Sequence, residues 1–191
     1  YEATDATDSG LIDSSGNNET GMWGYDVSVG GIALSASYNP RGTAQGVKGD
    51  AETGYAIVYS GLMDGLELSA GYFDDGSEAE NETFGVKYTM GSVTAGYQIT
   101  TVDYEAQAST DQDATHYGVS IAVNEELSVS AGRQEIEFDG AADDEVNSGM
   151  MASYTMGSIA IKGGMNTLES KGGSATAKDV EATILSISFS F

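Results

Sequence analysis

Cysteine is absent from the 191 residues, proline and histidine occur once each, and only 7 lysines and arginines stand against 30 aspartates and glutamates, for a formal charge of −23. Lack of cysteine removes disulfides and thiolate metal sites, though it says little about compartment. The single histidine, His116, has no serine or cysteine constellation around it, so a nucleophilic hydrolase finds little support and His116 is expected to be structural. Scarce basic residues argue against nucleic acid as a partner, because phosphate is neutralised by Lys and Arg. No apolar run approaches the roughly 18 residues of a spanning helix, and helical spacing of apolar residues is hard to find anywhere. The first residues carry neither a basic segment nor an apolar stretch, so a secretory leader is expected to be absent or already removed.

What the chain does have is alternation. Hydrophobic residues make up 40% of it, with 26 glycines and 11 tyrosines. Such acidity would favour disorder if the apolar residues were scattered. Instead they recur with period two, the spacing of a β-strand, in eleven segments: 22–29, 32–39, 53–60, 66–73, 83–90, 93–102, 116–123, 127–138, 148–156, 159–168 and 180–191. Most are close to the ~9–11 residues that a tilted strand needs to cross a bilayer. Their connections alternate between tight turns ("GG", "GLMDG", "GS", "NEE", "GS") and longer stretches rich in Asp, Glu, Gly, Ser and Thr, such as "DDGSEAENE" and "DGAADDEVN". Tight turns join antiparallel neighbours, so the expected fold is an all-β up-and-down meander with short turns at one end and acidic loops at the other. "YTMGSVTAGY" (88–97) and "YTMGSIAIKG" (154–163) are one hairpin written twice, a repeat unit of two strands rather than a solenoid coil.

The two faces of these strands differ in kind. One carries Trp23, Tyr25, Val27 and Val29, then Ile32, Leu34, Ala36 and Tyr38; the other carries serines, glycines and threonines with Asp26, Glu67, Lys87 and Lys162. In a soluble barrel the apolar face would pack as a core. Two features favour the inverse. Tyrosines recur near strand ends (Tyr25, Tyr38, Tyr59, Tyr72, Tyr88, Tyr97, Tyr117, Tyr154), where a girdle would meet lipid headgroups. The polar face is mostly small and hydrophilic, suited to a water-filled lumen. Most acids are placed in the presumed external loops. There Asp74, Asp75 and Glu78, or Asp143, Asp144 and Glu145, could hold calcium through oxygen ligands, although their spacing fits no EF-hand and solvated loop charge is the favoured reading. No cofactor is required.

The segment "SISFSF", with Leu185, Ile187, Phe189 and Phe191 as large residues on one face, resembles the closing strand of Gram-negative outer-membrane β-barrels, which the barrel-assembly machinery reads as a signal. The usual polar and glycine positions earlier in that signal are Ile184 and Ser186 here. With "YEA" opening an acidic stretch and the hairpin "MWGYDVSVGGIALSASY" after it, the chain is similar to general porins of the alphaproteobacterial, purple-bacterial type. That resemblance implies a sixteen-stranded homotrimer in the outer membrane, surrounded by lipid and lipopolysaccharide, with a third external loop folded into the lumen as a constriction. An odd count of strands cannot close a bacterial barrel, and an open edge in lipid leaves backbone groups unsatisfied. Residues 1–191 are therefore expected to be one barrel domain in fragment form, its C-terminal two-thirds. Residues 1–20 would be the end of the constriction loop, and 21–191 the meander ending in the assembly signal.

On that reading Glu2, Asp5, Asp8 and Asp13 line the constriction, or else are solvated loop acids; Lys87 and Lys162 oppose them across the lumen, or else pair with nearby carboxylates. In "LSVSAGRQ" (127–134), which resembles "LELSAGYF" (66–73), Arg133 stands in the place of Tyr72. It is expected on the lipid side near the external rim, unless a bulge turns it inward. The function expected is passive diffusion of small hydrophilic solutes and ions with a mild cation preference. The alternatives are an outer-membrane barrel enzyme of lipase or protease type, and an acidic surface β-protein or adhesin.

Overall fold

Glycine turns define one end of the sheet. At Gly30–Gly31 both residues have positive φ (60° and 81°), while at Gly91–Ser92 and Gly157–Ser158 only the glycine does (61° and 59°). These are the backbones that two-residue hairpins of types I′ and II′ demand, and glycine adopts them without steric penalty. The computed structural model describes residues 23–39, 51–76, 79–104 and 111–190. Its strands are β1 (Trp23–Val29), β2 (Ile32–Asn39), β3 (Glu52–Tyr59), β4 (Leu66–Asp74), β5 (Ala79–Met90), β6 (Val93–Tyr104), β7 (Gln112–Ala122), β8 (Leu127–Phe138), β9 (Glu145–Met156), β10 (Ile159–Glu169) and β11 (Val180–Phe189). They form one sheet of 11 antiparallel strands in sequence order, the all-β up-and-down meander that the alternation implies. β1 and β11 are its two edges; the barrel is not closed within the described residues.

Register fixes the faces, because residues directly opposite each other on neighbouring strands share a side. Tracing the pairs from Trp23↔Tyr38 through every ladder puts Trp23, Tyr25, Tyr38, Tyr72, Tyr88, Tyr97, Tyr117 and Tyr154 on one face. Leu185, Ile187 and Phe189 lie on that same face through β10. Asp26, Glu67, Lys87 and Lys162 lie on the other.

The apolar face is the exposed one. Along β6, Val93, Ala95, Tyr97 and Ile99 are exposed while Thr94, Gln98 and Thr100 are half-buried and Gly96 is buried. Among the described residues only Ala79 and Val146 are buried hydrophobics, and no large side chain is fully buried. A water-soluble domain of this size buries large aliphatic and aromatic side chains. This sheet turns them outward, with Tyr25 at 66% and Phe189 at 59% exposure, and on its inner strands half-buries mid-strand polar residues such as Ser69, Gln98, Ser120, Ser130 and Gln134.

Four strands run at least two residues further outward than the apolar alternation does, among them β6, which ends at Tyr104 rather than residue 102. β5 begins at Ala79 rather than residue 83, β7 at Gln112 rather than 116, and β9 at Glu145 rather than 148. Above the apolar band both faces meet water, so pairing continues with no hydrophobic face to mark it. Several acids expected in loops therefore stand on strands, facing the apolar side beyond the tyrosines: Glu80 and Glu82 opposite Asp103 and Thr101, and Asp113 opposite Glu137.

The connection after β10 folds back over its neighbours through a single 3-10 turn, Lys171–Gly173. The Gly172 N–H donates to Glu145 Oε2 (2.7 Å) and Ser170 Oγ to Asp143 Oδ2 (3.0 Å). The Gly173 carbonyl accepts from the N–H groups of Ala142 and Asp143. Gly173 is required here. Its φ is +69°, and a Cβ would lie 2.5 Å from Ala141 Cβ and 2.9 Å from the Asp143 carbonyl. Glu145 and Phe138 are both on the polar face, so the turn is latched on that side, at the outer end of β8 and β9.

Candidate functional site

The polar face is the surface on which solute chemistry could occur. Its charges are few. Glu67 and Lys87 are direct cross-strand partners, and Lys87 Nζ lies 2.8 Å from Glu67 Oε1. Lys87 thus has a nearby carboxylate partner, while the acidic stretch it was expected to oppose lies outside the described residues. Lys162 sits between Ser153 and Ser186, with no ion pair to a described carboxylate. Asp26 is opposite Ser35. Asn39 Nδ2 donates to Glu52 Oε2 across the β2–β3 ladder (3.3 Å).

Between these charged flanks runs a row of neutral polar side chains. Gln98 on β6 is opposite His116 on β7, His116 opposite Gln134 on β8, and Gln134 opposite Asn147 on β9. Asn166 on β10 donates through Nδ2 to Asn147 Oδ1 (3.2 Å), lying across Gly149, whose missing side chain leaves room for it. Gln98 Nε2 donates to Thr100 Oγ1 (3.2 Å), and the Thr83 and Thr100 hydroxyls are 2.9 Å apart. His116 thus stands inside a strand on the polar face, not at a loop junction, and its row partners are amides. Sequence reading passed over the row because its members lie on five different strands. The available signal was an amide or imidazole on the polar phase of each strand, and only register brings them level.

On the opposite face Arg133 stands between Tyr117 and Ser148, with β8 paired residue for residue through it, so no bulge turns it inward. Its Nε lies 3.7 Å from Glu135 Oε2. Tyr154 donates its hydroxyl to Glu126 Oε2 in the turn below (3.1 Å).

Among the described residues no group of three or more His, Asp or Glu could hold a metal ion. Several of the carboxylates expected in the acidic loops accept backbone N–H groups instead: Asp74 from Gly76, Asp75 from Ala79, Asp143 from Asp144 and Glu145 from Gly172. One oxygen of each carboxylate thus holds backbone, within its own turn for Asp74, Asp75 and Asp143 and across to the connection after β10 for Glu145. Glu2, Asp5, Asp8 and Asp13, Glu78, and Phe191 lie outside the described residues.

An open-edged antiparallel sheet with an apolar, tyrosine-fringed exposed face and a sheltered polar face is a section of a transmembrane β-barrel wall. Residues 1–191 match the family model for Gram-negative porins, and the chain belongs to that family, whose place is the outer membrane. No curated protein sequence matches significantly. Among solved structures it is similar to the anion-selective porin of Comamonas acidovorans (TM-score 0.69, 14% identity, covering 89% of this chain and 59% of that one). OpdO of Pseudomonas aeruginosa gives TM-score 0.68 at 15% identity, covering 83% and 55%. Outer-membrane expressed OmpT of Vibrio cholerae gives 0.60 at 16%, covering 87% and 61%. The chain spans well under two-thirds of each of these structures. At such identities the likeness is one of fold.

Proposed function

We propose that this chain supplies most of the wall of a passive, water-filled diffusion channel for small hydrophilic solutes and ions. The observation that carries the reading is the inverted burial of β6 and its neighbours, in which apolar residues stand exposed and polar ones are sheltered. Lipid is the environment that makes such a sheet stable, and water in the lumen is what its serines and amides require. A soluble adhesin would bury the residues exposed here. A barrel enzyme would need a nucleophile and an acid beside His116, whose cross-strand partners are Gln98 and Gln134.

The remaining wall, five strands in a sixteen-stranded barrel of even count, lies in this proposal outside residues 23–190, with residues 1–20 reaching into the lumen as the end of a constriction loop. Three such barrels would form a homotrimer among lipopolysaccharide, inserted by an assembly machinery that reads Leu185, Ile187, Phe189 and Phe191. Ion preference is a property of lumen charge rather than of the fold, as the anion-selective Comamonas relative illustrates. Here a net charge of −23 favours cations mildly.

The test is reconstitution of the full-length protein in planar bilayers. Discrete ohmic conductance steps are expected, with a reversal potential of cationic sign under a potassium chloride gradient that shrinks when Glu2, Asp5, Asp8 and Asp13 become Gln or Asn. A protein that is soluble without detergent and leaves bilayers silent would overturn the proposal. An anionic sign would overturn its selectivity alone.

A further inference from the structure

We infer that the polar face of β6 to β10 is a binding track for neutral polyhydroxylated solutes, carbohydrates above all. The inference rests on the channel reading and gives it a solute class.

The first observation is where charge is missing. On β6 to β9 the polar face carries no formally charged residue from the tight turns outward until Glu145 at the outer end of β9, which is bonded to the Gly172 N–H. The opposite face of these strands carries Asp103, Asp113, Arg133, Glu135 and Glu137. In a chain of charge −23, four adjacent strands turn nearly all their charge away from the lumen. On the flanks, Glu67 and Lys87 neutralise each other and Lys162 contributes one cation.

The second observation is what stands in that uncharged field. Gln98, His116, Gln134 and Asn147 are successive cross-strand partners, and Asn166 joins them through its bond to Asn147. Primary amides present two donors and an acceptor oxygen with two lone pairs, and neutral imidazole presents one donor and one acceptor. This set matches hydroxyl groups, which both donate and accept. It offers an inorganic ion little. Neighbours in the row stand about 4.8 Å apart, one strand spacing, so a sugar ring with hydroxyls around its rim reaches two of them at once. Strands in such barrels tilt by ~35–45°, so a row perpendicular to them climbs about 3 Å along the pore axis per strand. The track is a slope through the lumen, and a solute can exchange one partner for the next as it moves.

Aromatic surface completes the chemistry. Phe73 and Phe138 are on the same polar face, at the two ends of the row Phe73–Asn81–Val102–Gln112–Phe138. That row lies two face-steps outward of the amides, about 13 Å along the strands. Small-ligand sites combine apolar surface with a few placed polar groups, and here the two follow one another along the path: Phe73 meets a sugar's C–H face about 13 Å outward of the amides that then take its hydroxyls. Each exchanged hydrogen bond is worth about fivefold in affinity. Several together give binding around the millimolar range, weak enough for release.

The experiment is single-channel recording of the full-length protein with neutral maltose-series oligosaccharides on one side, against polyethylene glycol of matched hydrodynamic size. Oligosaccharides are expected to interrupt the current in saturable fashion at about millimolar concentration, and the glycol only to lower it in proportion to bulk conductivity. Converting Gln98, Gln134 and Asn147 together to Ala is expected to weaken the block by about a hundredfold, the blocked fraction being read against each protein's own sugar-free conductance. Should that variant fail to assemble, Gln134→Ala alone reads about fivefold, and Gln134→Asn, which keeps an amide, retains most of the block. Equal effects of sugar and glycol in a conducting channel, or undiminished block in the Ala variants, would overturn the inference and leave the channel standing. Silent bilayers overturn both.

Discussion

Lys87 and Glu67 are twenty positions apart in sequence and directly opposite in the sheet, and their pairing decides what each contributes to the lumen. At 2.8 Å, with side chains about one-quarter exposed, the pair is worth no more than about 1 kcal/mol of stability once solvent screening is allowed for. Its larger effect is to cancel a charge. Lys87→Met is expected to leave the barrel's melting temperature almost unchanged while uncovering the Glu67 carboxylate, moving the reversal potential further toward the cationic side; Glu67→Gln should move it the other way. Equal shifts for both variants would contradict the pairing. That both residues belong to the polar face was legible from period two alone. That they meet was not, because pairing depends on the turn between β4 and β5 setting the register, and a slip of one residue would part them. The same limit hid the row through His116, whose members make sense only when five strands are level.

Elements were legible wherever one of their faces meets lipid. All eleven strands follow the alternating segments, and four of the five tight turns carry a glycine at positive φ, the fifth being held by the Asn124 side chain. Outer strand ends were not legible, since Glu80, Glu82 and Asp113 sit in regular ladders with water on both sides and no pattern to show it. The inward latch after β10 was missed for a different reason. It is held by Asp143, Glu145 and the space over Gly173, contacts between residues 27 apart. Gly173→Val should break it, because the Cβ meets backbone and side chain at once and the left-handed backbone is strained by a branched side chain. Faster trypsin cleavage after Lys171 and Lys178 is expected on intact cells, with the heat stability of the barrel retained; unchanged cleavage would mean that the latch does not hold the loop. β11 carries a separate expectation. Its large residues Leu185, Ile187 and Phe189 lie on the lipid-facing side, and an assembly signal read at insertion should matter more to yield than to the finished barrel. Deleting Phe191 from the full-length protein should reduce its outer-membrane amount, while the fraction that inserts melts as the parent does.

At the scale of the whole molecule, charge is sorted by face. The chain carries 30 acidic residues, yet the strand acids beyond the tyrosines, such as Glu82, Asp103, Asp113, Glu135 and Glu137, share the lipid-facing side. The sheltered face keeps Asp26, Glu52, Glu67 and Glu145. In the proposed channel a permeating ion would therefore see far less of the −23 than composition suggests. Salt sharpens the distinction, since the Debye length is about 8 Å at 0.15 M and the outward acids are separated from the lumen by the wall and its surrounding water. Two unit charges about 4 Å apart interact by roughly 1 kcal/mol in bulk water and more beside low-dielectric walls, so one lumen carboxylate outweighs several on the rim. Neutralising Glu135 and Glu137 together should leave the reversal potential unchanged at 0.15 M salt and shift it slightly at 0.01 M, where the Debye length reaches about 30 Å. Asp26→Asn should shift it toward zero at both concentrations. If the rim variant moved selectivity at 0.15 M as much as Asp26→Asn does, the sorting of charge by face would have no bearing on permeation, and the preference would have to arise from the bulk field of the protein.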